Sequence, residues 1–170
     1  MKSRHQELLE LLDTFGAELF ALLTRLTLRE EVAEELMQDL FIKLQSSRGL
    51  DKAANRQAYA RRAAINLAFD WRRSRQRAAR RLKHIRRQAS NDELPLAKMI
   101  HSEELRETLD ALSQLKKSSR EALVMRYIQQ ESYDRIAEQM GKTSHQVRAM
   151  CSRAVHHLRQ IVRSNHRHIE

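Results

Sequence analysis

The chain has 170 residues, of which 41% are hydrophobic, and carries a net charge of +10 with only 3 Gly and 1 Pro. So few helix breakers favour an all-α protein, and this length accommodates one medium domain or two small ones. The sequence lacks an apolar run of about 18 residues and a signal-peptide pattern, and its single cysteine excludes an internal disulfide. These features predict a cytoplasmic protein.

The excess positive charge is confined to one segment. Residues 59–90 carry 11 Lys or Arg against one acidic residue, whereas residues 1–58 have a net charge of −2 and residues 91–170 one of +2. A cationic run of this length predicts a polyanionic partner, most often nucleic acid. A solvated basic helix would give the same pattern.

Three helices are predicted in the first half of the chain, because apolar residues recur there at helical spacing. They cover residues 3–26, 30–45 and 56 to at least 81. The second helix has an acidic face beside its apolar stripe. Residues 46–55 contain Gly49 among polar neighbours and are expected to form a loop.

A boundary between two domains is predicted at residues 90–95, SNDELP, which contain the only proline. Helix is expected to resume near Met99, and Ser118 with Glu121 fits a capping box for a further helix. We therefore predict two small helical domains, residues 1–88 and 104–165, joined by a short linker, residues 89–103, and followed by a tail, residues 166–170.

The segment 132–158 is predicted to form a helix-turn-helix, with Gly141 in the turn and Ser144 capping the second helix. The apolar side of that helix consists of Val147, Cys151, Ala154 and Leu158. Its outward side, whose polar members can bond base edges or phosphates, consists of Gln146, Arg148, Ala149, Ser152, Arg153 and His156. A plain helical hairpin would have the same outline.

Two motifs elsewhere in the chain distinguish a DNA-binding helix-turn-helix from a plain helical hairpin. The segment EELMQDLFIKLQ, residues 34–45, resembles the helix by which bacterial sigma factors of the extracytoplasmic-function (ECF) group bind core RNA polymerase. AYARRAAINLAFDWRRSR, residues 58–75, is similar to the family helix that contacts the minus-ten promoter element. Residues 112–159 resemble the domain that reads the minus-thirty-five element. The chain is identified by these ordered motifs as a member of that family.

The resemblance implies a sigma factor that binds core polymerase and directs promoter recognition, DNA opening and transcription initiation. An anti-sigma factor is implied as a further partner. The residues expected to bind polymerase are Glu34, Glu35, Met37, Gln38, Asp39 and Phe41. Those expected at the minus-ten element are Arg48, Asn55, Asn66, Asp70, Arg73, Arg77, Arg80 and Arg81. At the minus-thirty-five element, base reading is expected chiefly from Gln146, Arg148 and Ala149, and backbone contact chiefly from Ser152, Arg153 and His156.

Two other classes of protein remain as alternatives. A helix-turn-helix regulator that is not a polymerase subunit would bind its promoter specifically by itself. A nuclease or recombinase would need clustered carboxylates for a metal, or a Ser or Tyr nucleophile with a positioned base, and the sequence offers neither. We therefore expect no enzyme and no cofactor. Cys151, His156 and His157 have the wrong number and spacing of ligands for zinc, so no metal is expected.

Overall fold

The computed structural model describes the backbone of residues 3–85 and 96–167, and the side chains of residues 3–83 and 103–167. Within these ranges the chain is helical, and one segment, Val124–Ile128, is a π-helix that continues from a preceding α-helix. The α-helices are α1 (Arg4–Thr27), α2 (Glu30–Ser46), α3 (Arg48–Lys52), α4 (Arg56–Ile85), α5 (Leu96–Leu112), α6 (Lys117–Leu123), α7 (Tyr133–Met140) and α8 (Ser144–Arg167). The prediction of an all-α chain is confirmed.

The first module consists of α1 to α4, in which α1 packs on α2 and α4, and α2 also packs on α4. Its core is apolar and includes the fully buried side chains of Leu19, Leu23, Leu40 and Phe69. The Ser3 hydroxyl starts α1 with a capping box, which matches the predicted beginning of that helix. The predicted spans of α1, α2 and α4 are confirmed, and α4 continues to Ile85.

The prediction of a plain loop over residues 46–55 is wrong, because α3 lies within it. The Ser47 hydroxyl caps α3 by accepting from the Gly49 amide, and it also bonds the Tyr59 hydroxyl at 2.6 Å. A Cβ atom at position 49 would lie 2.6 Å from that hydroxyl, so any larger residue would require the Tyr59 side chain to move. A polar sequence is therefore ordered here by contact with α4.

The second module consists of α5 to α8, in which α5, α6 and α7 all pack on α8. Gly141 ends α7 in the left-handed region at φ 64°, as the sequence predicts. The predicted cap at Ser144 is wrong. The Thr143 hydroxyl accepts from the Gln146 amide, while the Gln146 side chain accepts from the Thr143 amide, and this pair forms the capping box of α8.

The predicted capping box of Ser118 and Glu121 is also wrong, because α6 begins after Lys116 and Glu121 points toward α4. Helix resumes at Leu96, three residues before the expected start at Met99. The predicted domain boundary at residues 90–95 lies outside the described residues. Helix α8 continues to Arg167, past the predicted start of the tail at 166, and residues 168–170 lie outside the described range.

Candidate nucleic-acid interface

The acidic face of α2 is solvent-exposed, as expected of a docking surface. Glu34, Glu35, Gln38 and Asp39 are all exposed, whereas Val32, Ala33, Leu36, Leu40 and Leu44 are buried on the opposite side. Met37 and Phe41 are half-buried at the edge of this face, and Ile42 beside them is 62% exposed. An exposed acidic face with apolar anchors is suited to a basic partner surface.

The rotation of α8 agrees with the predicted reading face. Val147, Cys151 and Ala154 are buried, and burial raises the pKa of the Cys151 thiol. The residues turned to solvent are Gln146, Arg148, Ser152, Arg153 and His156, while Ala149 is half-buried. Gln146 already closes the capping box through its side-chain oxygen, so its amide nitrogen and one lone pair of that oxygen remain for a base edge.

Arg148 is held near the start of α8 by an aromatic ring. Its guanidinium lies 4.9 Å from the centre of the Tyr133 ring, and that of Arg126 lies 4.2 Å from the same ring. Such cation–π contacts restrict the conformations of a long side chain at a modest cost in conformational entropy. Arg148 is therefore oriented by Tyr133 while it remains exposed to solvent.

The residues predicted for the minus-ten element differ in their solvent exposure and in whether their side chains already have partners within the protein. Arg77, Arg80 and Arg81 are exposed along α4, and Arg48 is exposed on α3. Asn55 is engaged as a helix cap, since its side-chain oxygen accepts from the Ala58 amide at 2.9 Å.

Asp70 and Arg73 form an ion pair one turn apart on α4. Arg73 also donates to the Ser113 carbonyl of the second module at 3.3 Å. This contact means that part of the predicted DNA face of α4 lies against the second module.

Asn66 is covered by the second module. Its side-chain nitrogen donates to Glu121 at 2.8 Å, and its oxygen accepts from Arg120 at 3.1 Å. Glu121 is fully buried, and its second oxygen accepts from Arg62 at 2.9 Å. Arg120 also lies over the Phe69 ring at 5.1 Å, and burial lowers the pKa of its guanidinium. We call Arg62, Asn66, Arg120 and Glu121 the α4–α6 network.

Two more buried arginines of α4 join the modules. Arg61 bonds Glu131 at 2.6 Å and Gln139 at 3.1 Å in the second module, and also Glu18 of α1 at 2.8 Å. Arg72 donates to the Leu26 carbonyl at 2.6 Å and to Asp110 at 2.7 Å. The modules are thus joined by buried charged groups, which is unusual because burial of charge is costly unless it is paired.

Sequence reasoning missed these interface residues. Arg61, Arg62 and Arg72 belong to an arginine-rich run that is typical of an exposed face, and Glu121 fits a helix cap. No periodicity distinguishes them from solvated charges. The only sequence signal is that the apolar residues Ala122 and Leu123 directly follow Glu121.

Within the part of the chain whose side chains are described, no three His, Cys, Asp or Glu residues cluster as metal ligands. Among the described helices, none has the length and apolarity needed to cross a membrane.

Together, the two helical modules, the helix-turn-helix and the basic α4 are typical of a DNA-binding protein. Comparison with known proteins gives the family. The sequence model of sigma-70 region 2 matches residues 11–78, and that of sigma-70 region 4 matches residues 105–158. The chain therefore belongs to the sigma-70 family of sigma factors.

It is a sigma factor of the ECF type, with residues 79–104 alone separating the two matched regions, and it acts on core RNA polymerase and promoter DNA. Among solved structures, the chain is similar to the sigma factor RpoE in its complex with the anti-sigma factor NepR from Bartonella quintana. The two are 22% identical over 93% of this chain and 95% of that one, with a TM-score of 0.47. A search of curated proteins found no match.

Proposed function

We propose that the arrangement described above is the unengaged form of this sigma factor, and that core polymerase separates the two modules before the promoter is read. One observation carries the proposal. Asn66, which the family motif assigns to the minus-ten element, is bonded to Arg120 and Glu121 of the other module. A residue in this position cannot bond a base while α6 covers it.

The chemistry of the contact supports a reversible closure. Pairing roughly offsets the cost of burying charged groups, so a charged interface contributes little net stability to the closed form. When the interface opens, water solvates the same groups. The buried apolar residues of the two modules form one continuous cluster in this arrangement, so opening exposes apolar surface as well as the α4–α6 network. Each module also has apolar residues packed between its own helices, such as Leu19 and Leu40 in the first and Val147 and Cys151 in the second, so its helices stay packed.

The binding surfaces follow from this opening. We assign polymerase docking to the exposed acidic face of α2, minus-ten contacts to α4 and the neighbouring Arg48, and minus-thirty-five contacts to the outward face of α8. Each surface supplies charge or hydrogen-bonding groups that suit its partner. We further propose that the protein acts in the cytoplasm by binding, without catalysis. We also propose that it binds an anti-sigma factor, as RpoE does in its complex with NepR.

Energy transfer between two dyes tests the closure. Asp13→Cys on α1 and Arg163→Cys on α8 place labels at exposed sites on the two modules. Native Cys151 stays unlabelled, because it is buried and its pKa is raised by burial, so little reactive thiolate forms. We expect high transfer in the isolated protein and low transfer after addition of core polymerase. Equal transfer in both states would contradict the proposal.

A second measurement links opening to promoter reading. Permanganate footprinting reports the unpaired thymines of the opened promoter in the polymerase complex. We expect the Asn66→Ala complex to open less DNA while showing the same low energy transfer as the unmodified complex. Normal strand opening by this variant would remove Asn66 from the minus-ten surface.

A further inference from the structure

A cavity lies between the two modules, on the side of α4 where Arg72 and Arg75 are located. Its volume is about 620 Å³, which falls within the usual range for small-molecule sites. The first module contributes the end of α1, the following turn and one face of α4. The second module contributes Arg106 and Asp110 of α5. The cavity is therefore complete only when the modules are closed.

The lining of the cavity is strongly cationic. Among the described residues, five basic side chains and one carboxylate line it, which gives this part of the lining a net charge of +4. The basic residues are Arg29, Arg72, Arg75, Lys83 and Arg106. An excess of like charges around one cavity is unfavourable until an anion enters.

The pairing of these groups leaves most of their charge available. Arg72 donates to Asp110, the only acid among the described residues of the lining, and also to the Leu26 carbonyl. Arg75 lies over the Trp71 ring at 5.3 Å, and within the described residues neither it nor Lys83 forms an ion pair. Burial lowers the pKa of the Arg72 guanidinium, Asp110 opposes this shift, and the like charges of Arg106 and Arg75 add to it.

Arg29 and Arg106 have acidic neighbours outside the cavity. Arg29 pairs with Glu31 at 2.5 Å, and Arg106 pairs with Glu103 at 3.5 Å. All four of these side chains are about half exposed, so solvent weakens both pairs. Both guanidinium groups can therefore turn to a ligand at small cost.

We propose that this cavity binds a small polyphosphate anion, such as the phosphate chain of a nucleotide, and that the bound anion holds the sigma factor in its closed form. Guanidinium groups bond phosphate oxygens in pairs, and several converge here from two modules. This inference rests on the closed arrangement proposed above, because Arg106 and Asp110 reach the cavity only from α5. A ligand that binds the closed form alone shifts the equilibrium toward it, by roughly a hundredfold at a concentration 100 times its Kd.

The single tryptophan of the chain, Trp71, lines the cavity and is a built-in probe. We expect inorganic tripolyphosphate and ATP to change its fluorescence along a saturable curve with one site per chain, and adenosine to have no effect. If tripolyphosphate and ATP bind equally, the site reads the phosphates alone. If ATP binds more tightly, the base or sugar contributes as well. Both results support the proposal, whereas a linear response without saturation overturns it.

Matched variants separate a defined site from general attraction to a basic helix. Lys83→Ala and Arg106→Ala each remove one cavity cation, and we expect each to raise the Kd about tenfold, the effect of losing one charge-assisted hydrogen bond. Arg81→Ala is the control, since Arg81 is exposed on the same helix and does not line the cavity. We expect it to change the Kd less than about twofold, as for an exposed charge. Equal effects of Lys83→Ala and Arg81→Ala would overturn the site.

The dye-labelled protein distinguishes this inference from the proposed closure. We expect saturating tripolyphosphate to keep energy transfer high and to slow the loss of transfer when core polymerase is added. High transfer in the isolated protein without saturable binding would overturn the cavity site and leave the closure intact. Low transfer in the isolated protein would overturn both.

Discussion

Removal of one arginine tests how the closed form is held together. Arg62 donates to Glu121 at 2.9 Å, and its side chain is 37% exposed while that of Glu121 is fully buried. Arg62→Ala leaves the carboxylate buried in the closed form with Asn66 as its remaining partner from α4. In the open form Glu121 is free to bond water. The substitution should therefore destabilise the closed form and have little effect on either module alone.

The size of the effect follows from these contacts. Loss of a hydrogen bond to a charged group costs about 1.5–3 kcal/mol. A deeply buried pair broken on one side would cost about 3–5 kcal/mol, but Arg62 is partly solvated and Asn66 still donates to Glu121. We therefore expect Arg62→Ala to destabilise the closed form by about 2 kcal/mol, which raises the ratio of open to closed protein roughly thirtyfold.

The assay is energy transfer between labels at Asp13→Cys and Arg163→Cys during a titration with core polymerase. Polymerase binds the open form, so a variant with a larger open fraction should lose transfer at a lower polymerase concentration, and we expect this of Arg62→Ala. Arg56→Ala is the matched control, because Arg56 pairs with Glu7 inside the first module, with both side chains about 40% exposed. The control should open at the same concentration as the unmodified protein. If Arg62→Ala and Arg56→Ala behave alike, the α4–α6 network does not hold the modules together.

The remaining predictions concern the three binding surfaces. Asp39→Arg should weaken core-polymerase binding by at least tenfold in a pull-down without loss of helicity, because it places like charges against a basic partner; undiminished binding would remove α2 as the docking surface. Replacing Arg77, Arg80 and Arg81 by Ala should make the log–log dependence of DNA affinity on salt shallower by up to about 0.9 per lost phosphate contact, for all sequences alike, whereas a loss limited to one promoter would indicate base reading. Arg148→Ala should relax the preference at one or two positions of the minus-thirty-five element by about 1–3 kcal/mol, measured as holoenzyme affinity over a library mutated only there, and an unchanged preference would mean a different register of α8.

The apolar pattern of the sequence by itself determined the helices and the rotation of each. Val147, Cys151 and Ala154 recur at helical spacing, and burial of that side leaves Arg148 and Ser152 on the other. The helical spacing of apolar residues in α2 likewise predicts that its acidic face is exposed. Gly141 could also be predicted, because a left-handed residue after an amphipathic helix is most often glycine. These features are local, because they depend on the spacing of apolar residues within a single helix.

Only the tertiary structure decided where the charged residues lie. Glu121 reads as a helix cap, and Arg61 and Arg62 read as solvated members of a basic run, yet all three take part in buried contacts between the modules. A charged side chain can face either solvent or a buried partner of opposite charge, and the partner of Arg62 is 59 positions away in the sequence. Helical periodicity carries no information about pairs that are so far apart in the sequence. The closed interface and the cationic cavity beside it therefore emerge only when the two modules are placed together.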